Sequence, residues 1–207
     1  MDTLKNMINE QSFSGKIIIN VDIQPEYSGG MFFKPYEWCE WLNNVDGEAS
    51  RIIFLYNGTD TLGMTSEDDY KHWLIENALD ESVLDTAIFY DKGYAFFRYC
   101  MDNSIDEDAV ANFVRFMYEN DIRDSRDMDR EAWAKYLRQY RRTDKREVYT
   151  LLQASGDCVH IPDLMDFLKR YNNIVLTGGG VNECLKEVEI ALKALNKPYS
   201  TFSKFTY

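Results

Sequence analysis

Residues 173–184 read NIVLTGGGVNEC, and this stretch decides the fold. A short apolar run ends in three glycines, and an amphipathic helical pattern then continues from Val181 to about Leu195. The pattern predicts a strand, a tight turn and a helix, with Cys184 in the first turn of the helix. Backbone N–H groups in a first turn have no intrahelical partners, and the helix dipole favours an anion there. We therefore predict that the Cys184 thiol has a lowered pKa and acts as a nucleophile.

Three earlier apolar runs have the near-continuous pattern of strands that are buried on both faces of a parallel sheet. These runs are Lys16–Asp22, Arg51–Tyr56 and Thr86–Tyr90. Helical spacing separates them, which predicts a three-layer α/β fold with a mostly parallel, open, Rossmann-like sheet. Ligands bind such sheets outside the carboxyl ends of the strands. Asp22, Lys92 and Cys184 all fall at or just after strand ends, so we expect them to share a site.

Length and composition limit the class of protein. The 207 residues fit one α/β domain, residues 1–207, with an insertion. A formal net charge of −12 argues against nonspecific binding to nucleic acid or to an anionic membrane. Four widely spaced cysteines favour neither a disulfide framework nor a zinc knuckle. The N-terminus has no signal-peptide pattern and no apolar run approaches the roughly 20 residues that span a bilayer, so we expect a cytoplasmic protein.

The stretch from about residue 105 to residue 145 interrupts the alternation of strands and helices. Helical patterns over Asp106–Asn120 and Asp129–Arg141 flank a charged segment, and both carry apolar residues with core-type spacing. We interpret this stretch as a helical insertion. Its two helices could pack together as a lid over the pocket or form a contact in a homo-oligomer. The run Val148–Leu152 fits either a short strand or the end of the insertion.

Three segments resemble the signatures of the isochorismatase-like cysteine hydrolases. Residues 21–27 (VDIQPEY) resemble the strand end that carries the family's aspartate, and residues 91–96 (DKGYAF) look like its lysine segment. Residues 177–185 (TGGGVNECL) resemble its glycine turn and the helix start that carries the nucleophile. The segments follow the family's order, and the resemblance extends over about residues 16–98 and 160–205.

The resemblance implies an Asp–Lys–Cys triad. Asp22 would accept the thiol proton of Cys184 and return it to a leaving group. Lys92 would hold both groups in place and stabilise the negative charge. Cys184 would attack a carbonyl carbon, typically of an amide, and form an acyl-enzyme that water resolves. Backbone N–H groups of Cys184 and of a residue near Gly180 or Val181 would form an oxyanion hole, in a turn where the family usually has a cis peptide.

The implied substrate is a small molecule with an amide or related C–N bond. Candidate pocket residues are Gln24, Tyr94, Asn182 and His160. For Gln24 a supporting role in the loop after the first strand is an alternative, and for His160 a capping or surface role is one. Metal-dependent nicotinamidases of the family carry an Asp-x-His pair that residues 57–61 (NGTDT) lack. We therefore predict no metal and no other cofactor.

Other interpretations of the same residues stay open. Cys184 could be a buried structural cysteine, because free cysteine is among the most buried residues. The glycines Gly178–Gly180 could cradle a phosphate, although no Walker lysine or G-x-G-x-x-G pattern accompanies them. Hydrolysis of isochorismate itself, a vinyl ether, need not use a cysteine. A non-catalytic binding or assembly protein could retain the fold, and a thiol redox protein would need a second cysteine close in space.

Overall fold

Five parallel strands form one central sheet in the computed structural model, which describes residues 12–58, 66–93, 106–141 and 161–207. This sheet confirms the predicted α/β class. In chain order the strands are β1 (Ile17–Val21), β2 (Arg51–Tyr56), β3 (Ile88–Asp91), β4 (Ile174–Gly178) and β5 (Tyr199–Thr201). Their order across the sheet is β3-β2-β1-β4-β5.

The helices connect these strands and start where the sequence provides a suitable first turn. Ser66, for example, accepts a hydrogen bond from the Asp69 N–H, as expected for an N-cap serine. The α-helices within the described residues are α1 (Pro35–Val45), α2 (Glu67–Glu76), α3 (Glu81–Thr86), α4 (Glu107–Glu119), α5 (Arg130–Gln139), α6 (Ile161–Leu168) and α7 (Cys184–Ala194). Short 3-10 turns cover Pro25–Gly30, Ser125–Asp127 and Ser203–Phe205.

Side chains alternate along the strands and so build two apolar cores, one on each face of the sheet. On β1, Ile19 and Val21 belong to one core and Ile18 belongs to the other. Helices α4, α6 and α7 cover the first face, whereas α1, α2 and α3 cover the second. The result is the predicted three-layer arrangement. Among the described residues, no helix combines the length and the apolar character that crossing a membrane requires.

The helix pair of the predicted insertion takes part in the main core. On α4, Phe113 and Phe116 are fully buried, and α4 packs closely against α7. Helix α5 joins them through Tyr136, whose ring meets both phenylalanines edge-on. The apolar face of α4 is therefore buried within the chain, whereas that of α5 is only partly buried beside it. Helix α4 is a regular layer helix rather than a lid. The part of the stretch after residue 141, and the run Val148–Leu152, lie outside the described residues.

The order of the strands reverses between β1 and β4, because the chain first builds outward from β1 to β3 and then returns to the other side of β1. Val21 at the end of β1 pairs with Gly178 at the end of β4. Such a switch point leaves a crevice at the carboxyl edge of the sheet, where open α/β proteins bind their ligands. Asp22 and the glycine turn both flank this point.

Candidate active site

Asp22 follows β1 directly and its side chain is completely buried. Its backbone has a positive φ of 43°, a conformation that aspartate tolerates better than most residues. The conformation is fixed from both sides: the Asp22 N–H donates to the Leu55 carbonyl at 2.9 Å, and the Tyr207 hydroxyl donates to the Asp22 carbonyl at 2.8 Å. The carboxylate is thereby turned away from the sheet ladder and toward the switch point.

Cys184 is the first residue of α7, as the glycine turn predicted, and it is only 3% exposed. The helix begins here rather than at Val181, because Glu183 has a non-helical backbone with φ −131° and ψ −115°. The N–H of Leu185 reaches back to the Gly180 carbonyl at 3.2 Å and closes the turn. This places the thiol at the amino end of the helix and beside the end of β1.

Two of the three glycines are required by the geometry of the turn. Gly178 and Gly179 have φ values of +82° and +66°. A Cβ on Gly178 would lie 2.5 Å from the Val21 carbonyl oxygen, and one on Gly179 would lie 2.9 Å from the Leu185 nitrogen. Both neighbours are backbone atoms, so neither can move aside without distorting β1 or α7.

Replacing Gly179 with alanine is expected to lower the free energy of unfolding by about 2 kcal/mol, because an L-residue is strained at this φ and the new Cβ meets backbone. Urea unfolding followed by circular dichroism measures this loss. Gly47→Ala is the matched control, since a Cβ there meets nothing within 4 Å. Equal stability of the two variants would show that the turn does not need the glycine.

Lys92 lies just beyond β3 and crosses toward the other two residues. Its N–H donates to the Tyr56 carbonyl at 2.9 Å, which extends the pairing of β2 and β3 by one residue. Its Nζ lies 2.9 Å from Asp22 Oδ2, and both side chains are fully buried. The same Nζ donates to the Gly93 carbonyl at 3.1 Å. The predicted lysine is therefore an ion-pair partner of the predicted aspartate.

The fourth member of the cluster is Glu187, which the sequence prediction missed. Its Oε2 accepts a hydrogen bond from Lys92 Nζ at 2.9 Å, and it is completely buried. A glutamate three residues after Cys184 falls on the same helix face as the thiol. The signal was present in the sequence, because the neighbours of Glu187 on that face are apolar and glutamate is almost never fully buried unless it is paired.

The ionisation of the cluster differs from the prediction for Cys184. Burial raises the pKa of the Cys184 thiol, the negative charges of Asp22 and Glu187 add to this, and Lys92 opposes it without prevailing. The predicted lowered pKa is therefore wrong for the resting protein. The helix start favours an anion, but the loss of solvent around the thiol outweighs it.

The other two groups respond to the same low-dielectric surroundings. Burial raises the pKa of the Asp22 carboxyl, although Lys92 and Cys184 lower it. Burial lowers the pKa of Lys92, but Asp22 and Glu187 outweigh it and hold that pKa well above its ordinary value. Lys92 is thus a permanent cation between two carboxylates.

The arrangement permits a proton transfer inside the cluster. The Cys184 thiol interacts directly with the Asp22 carboxylate, which also pairs with Lys92 Nζ at 2.9 Å. A proton that moves from the thiol to Asp22 leaves the net charge of the buried cluster unchanged. The move therefore avoids the large penalty of adding a charge to a dry site, which is what raises both pKa values.

The predicted oxyanion hole is only partly available. The Val181 N–H donates to the Tyr207 main-chain oxygen at 2.8 Å, and Val181 itself is half exposed. This leaves the N–H groups of Gly180 and Cys184 as the candidate donors. No peptide bond among the described residues is cis, including those of the glycine turn, where the resemblance implied one.

The structure places two of the four candidate pocket residues, Gln24 and Asn182, in different surroundings. Gln24 is fully buried and its amide pairs with the backbone of Asn57, with Nε2 donating to the Asn57 oxygen at 3.3 Å and Oε1 accepting from the Asn57 N–H at 3.0 Å. It therefore joins the loops after β1 and β2. Asn182 is exposed on the turn. Tyr94 and His160 lie outside the described residues.

Among the described residues, no group of three or more His, Cys, Asp or Glu side chains is arranged to hold a metal ion. Comparisons with models of protein families, with curated proteins and with solved structures found no match. Fold and site together thus define an α/β protein with a buried polar cluster at the switch point of its sheet. The cluster consists of two carboxylates, Asp22 and Glu187, with Lys92 and the Cys184 thiol.

Proposed function

We propose that the protein is a cysteine-dependent hydrolase that cleaves an amide or related C–N bond of a small molecule through Asp22, Lys92 and Cys184. The observation that carries the proposal is the convergence of these three side chains, from the ends of three different elements, into one buried cluster. In the sequence, each of them falls at or just after the end of a strand. Burying a lysine and an aspartate completely costs hydration free energy, and such buried charged groups cluster at functional sites.

The proposed reaction has two steps. Asp22 takes the proton of Cys184 while the sulfur attacks the carbonyl carbon, and the C–N bond then breaks as Asp22 gives this proton to the departing amine. Water next attacks the thioester and loses a proton to Asp22. The carboxylic acid leaves, and Asp22 returns the proton to the sulfur. Lys92 stays charged throughout and stabilises whichever of Asp22 and Cys184 is negative.

Two alternative functions fit the site less well. A bound phosphate would meet carboxylates at the glycine turn, since Glu183 Oε2 lies 2.8 Å from the Cβ position of Gly180 and Asp22 is close by. A thiol redox pair with Cys39 is disfavoured, because Cys39 belongs to the core on the opposite face of the sheet. Cys100 and Cys158 lie outside the described residues.

A second candidate is a non-catalytic binding or assembly protein that retains the fold. The burial of Cys184 and its raised thiol pKa favour this candidate, because both reduce reactivity at rest. Membership of the isochorismatase-like family, a small-molecule substrate and a cytoplasmic location stay predictions from sequence.

Hydrolysis of chromogenic acyl compounds tests the proposal. We expect wild type to release nitroaniline from p-nitroacetanilide, or nitrophenol from p-nitrophenyl acetate, at a rate that Cys184→Ala reduces by at least about 100-fold. Cys39→Ala is the matched control, since it removes the other described buried thiol. Equal rates in wild type and Cys184→Ala would contradict catalysis by this cysteine and favour the non-catalytic candidate.

A further inference from the structure

We propose that Glu187 is a positioning residue that keeps the Cys184 thiol protonated at rest and keeps Asp22 basic, by sharing the charge of Lys92. The inference rests on the proposed function for its catalytic meaning, but its test does not require turnover. Glu187 is not a member of the triad that the resemblance implies.

The geometry gives Lys92 two acidic partners at the same distance. Its Nζ lies 2.9 Å from Asp22 Oδ2 and 2.9 Å from Glu187 Oε2, and all three side chains have no solvent exposure. The ammonium therefore stands between the base and a second carboxylate. Without Glu187, Lys92 would act more strongly on Asp22 and Cys184.

The Glu187 carboxylate partly offsets the effect of the Lys92 charge on Asp22 and Cys184. If Lys92 did not also pair with Glu187, its charge would lower the pKa of Asp22 and of the Cys184 thiol more strongly. Asp22 would then be a weaker base, and Cys184 would tend to be a thiolate in the resting protein. With Glu187 present and the Cys184 thiol protonated, the cluster holds one cation and two anions. A further negative charge on the sulfur is therefore unfavourable. The thiol stays neutral until its proton can move to Asp22, which suits a nucleophile that is used only with a substrate in place.

Other charged groups on the elements around α7 are engaged elsewhere. On α4, Glu107 and Asp108 pair with Lys186 and Lys193 on the outer side of α7, and Arg115 binds carbonyls at its C-terminal end. On α6, Asp163 pairs with Arg123 and Asp166 with Lys169. Strands β1 and β4 carry no charged residue. Among the described residues, the charged groups in direct contact with Lys92 are thus Asp22 and Glu187.

The test is the pH dependence of Cys184 alkylation by iodoacetamide, followed on the Cys184 peptide by mass spectrometry. We expect Glu187→Gln, which keeps a hydrogen-bond acceptor but loses the charge, to shift the profile about one unit or more toward lower pH. Alkylation at neutral pH would then be about ten-fold faster than in wild type. Glu187→Asp, which keeps the charge, should return the profile toward that of wild type.

Glu189→Gln is the matched control, since it removes the same charge from the same helix but from a residue that pairs with Lys186. Its profile should match wild type. A merely structural role of Glu187 would lower stability without moving the profile, because altered access changes the rate equally at all pH values. An unshifted Glu187→Gln profile in a folded variant would overturn the inference even if the hydrolase activity exists. A shifted profile in a protein without hydrolase activity would retain the electrostatic role and reject the proposed function alone.

Discussion

Replacing Lys92 with methionine is expected to lower the free energy of unfolding by about 3–5 kcal/mol at neutral pH. Methionine fills a similar volume but leaves Asp22 and Glu187 as two buried carboxylates without their cation. The penalty comes from the charges that remain rather than from a lost contact. Urea unfolding at neutral pH measures it, with Lys186→Met as control, since Lys186 pairs with Glu107 at the surface and should change stability by about 1 kcal/mol or less.

The loss of unfolding free energy in Lys92→Met should become smaller as the pH falls. In Lys92→Met the buried Asp22 carboxyl loses the cation that lowers its pKa, so its folded-state pKa lies still further above the unfolded value. Protonation then favours the folded state, and the loss of stability shrinks as the pH falls into the carboxyl range. In wild type the raised pKa of Lys92 stabilises the fold below the ordinary lysine range, as long as the carboxylates beside it are ionised. That contribution is lost as the pH rises through the folded pKa, under strongly alkaline conditions.

Neutralising the remaining carboxylates tests the explanation. The triple variant Lys92→Met, Asp22→Asn, Glu187→Gln removes the charges of all three side chains and should recover most of the lost stability. A triple variant as unstable as Lys92→Met would mean that packing, and not uncompensated charge, explains the effect. This comparison also applies if the single variant fails to fold.

Replacing Asp22 with asparagine is expected to change two properties in opposite directions. Hydrolysis should fall by about 100- to 10,000-fold, because the proton acceptor and donor is gone. Alkylation of Cys184 near neutral pH should become faster, because Asp22 raises the thiol pKa and its removal leaves Lys92 to lower it. Steady-state hydrolysis of p-nitroacetanilide and peptide-resolved alkylation measure the two properties on the same preparation.

Asparagine is the appropriate replacement because residue 22 has a positive φ, which asparagine tolerates and most residues do not. The Tyr207 hydroxyl binds the main-chain carbonyl of residue 22, so this contact is retained. An Asp22→Asn variant that loses both hydrolysis and alkylation would indicate a distorted turn. One that keeps full hydrolysis would exclude Asp22 as the proton carrier.

The sequence predicted the fold well where local patterns decide it. The apolar runs at β1, β2 and β4 and the glycine turn have few alternatives, because buried strands and positive φ values restrict the residue types. Asp22, Lys92 and Cys184 followed from strand ends, since parallel strands bring their carboxyl ends to one edge. Helix α3 was not predicted because its six residues are too short for a clear period.

The ionisation of the site could not be predicted in the same way. The position of Cys184 at a helix start argued for a lowered thiol pKa, but desolvation depends on tertiary packing around α7 and reverses the direction. Glu187 was overlooked because a glutamate in an amphipathic helix is usually on the solvated face. Its pairing with Lys92 becomes visible only in the structure, which places the Lys92 ammonium beside the Glu187 carboxylate.

The engagement of the Val181 N–H is a further example, because its acceptor is on Tyr207, far along the chain. Local sequence indicates which backbone groups a turn could present. It does not indicate which of them another segment occupies. The helix pair α4 and α5 likewise has core-type spacing that fits a lid or a layer, and the contact of α4 with α7 decides between them.

Acylation of Cys184 by p-nitrophenyl acetate tests whether Cys184 and Asp22 act together as nucleophile and base. Wild type and Asp22→Asn would be mixed with the ester, quenched in acid at successive times and digested, and the acetyl group located by mass spectrometry. We expect a transient thioester on Cys184 in wild type and its accumulation in Asp22→Asn, where no base activates water for deacylation. Acetylation of Cys184 that is no faster than that of Cys39, and is the same in both proteins, would contradict a nucleophile coupled to Asp22.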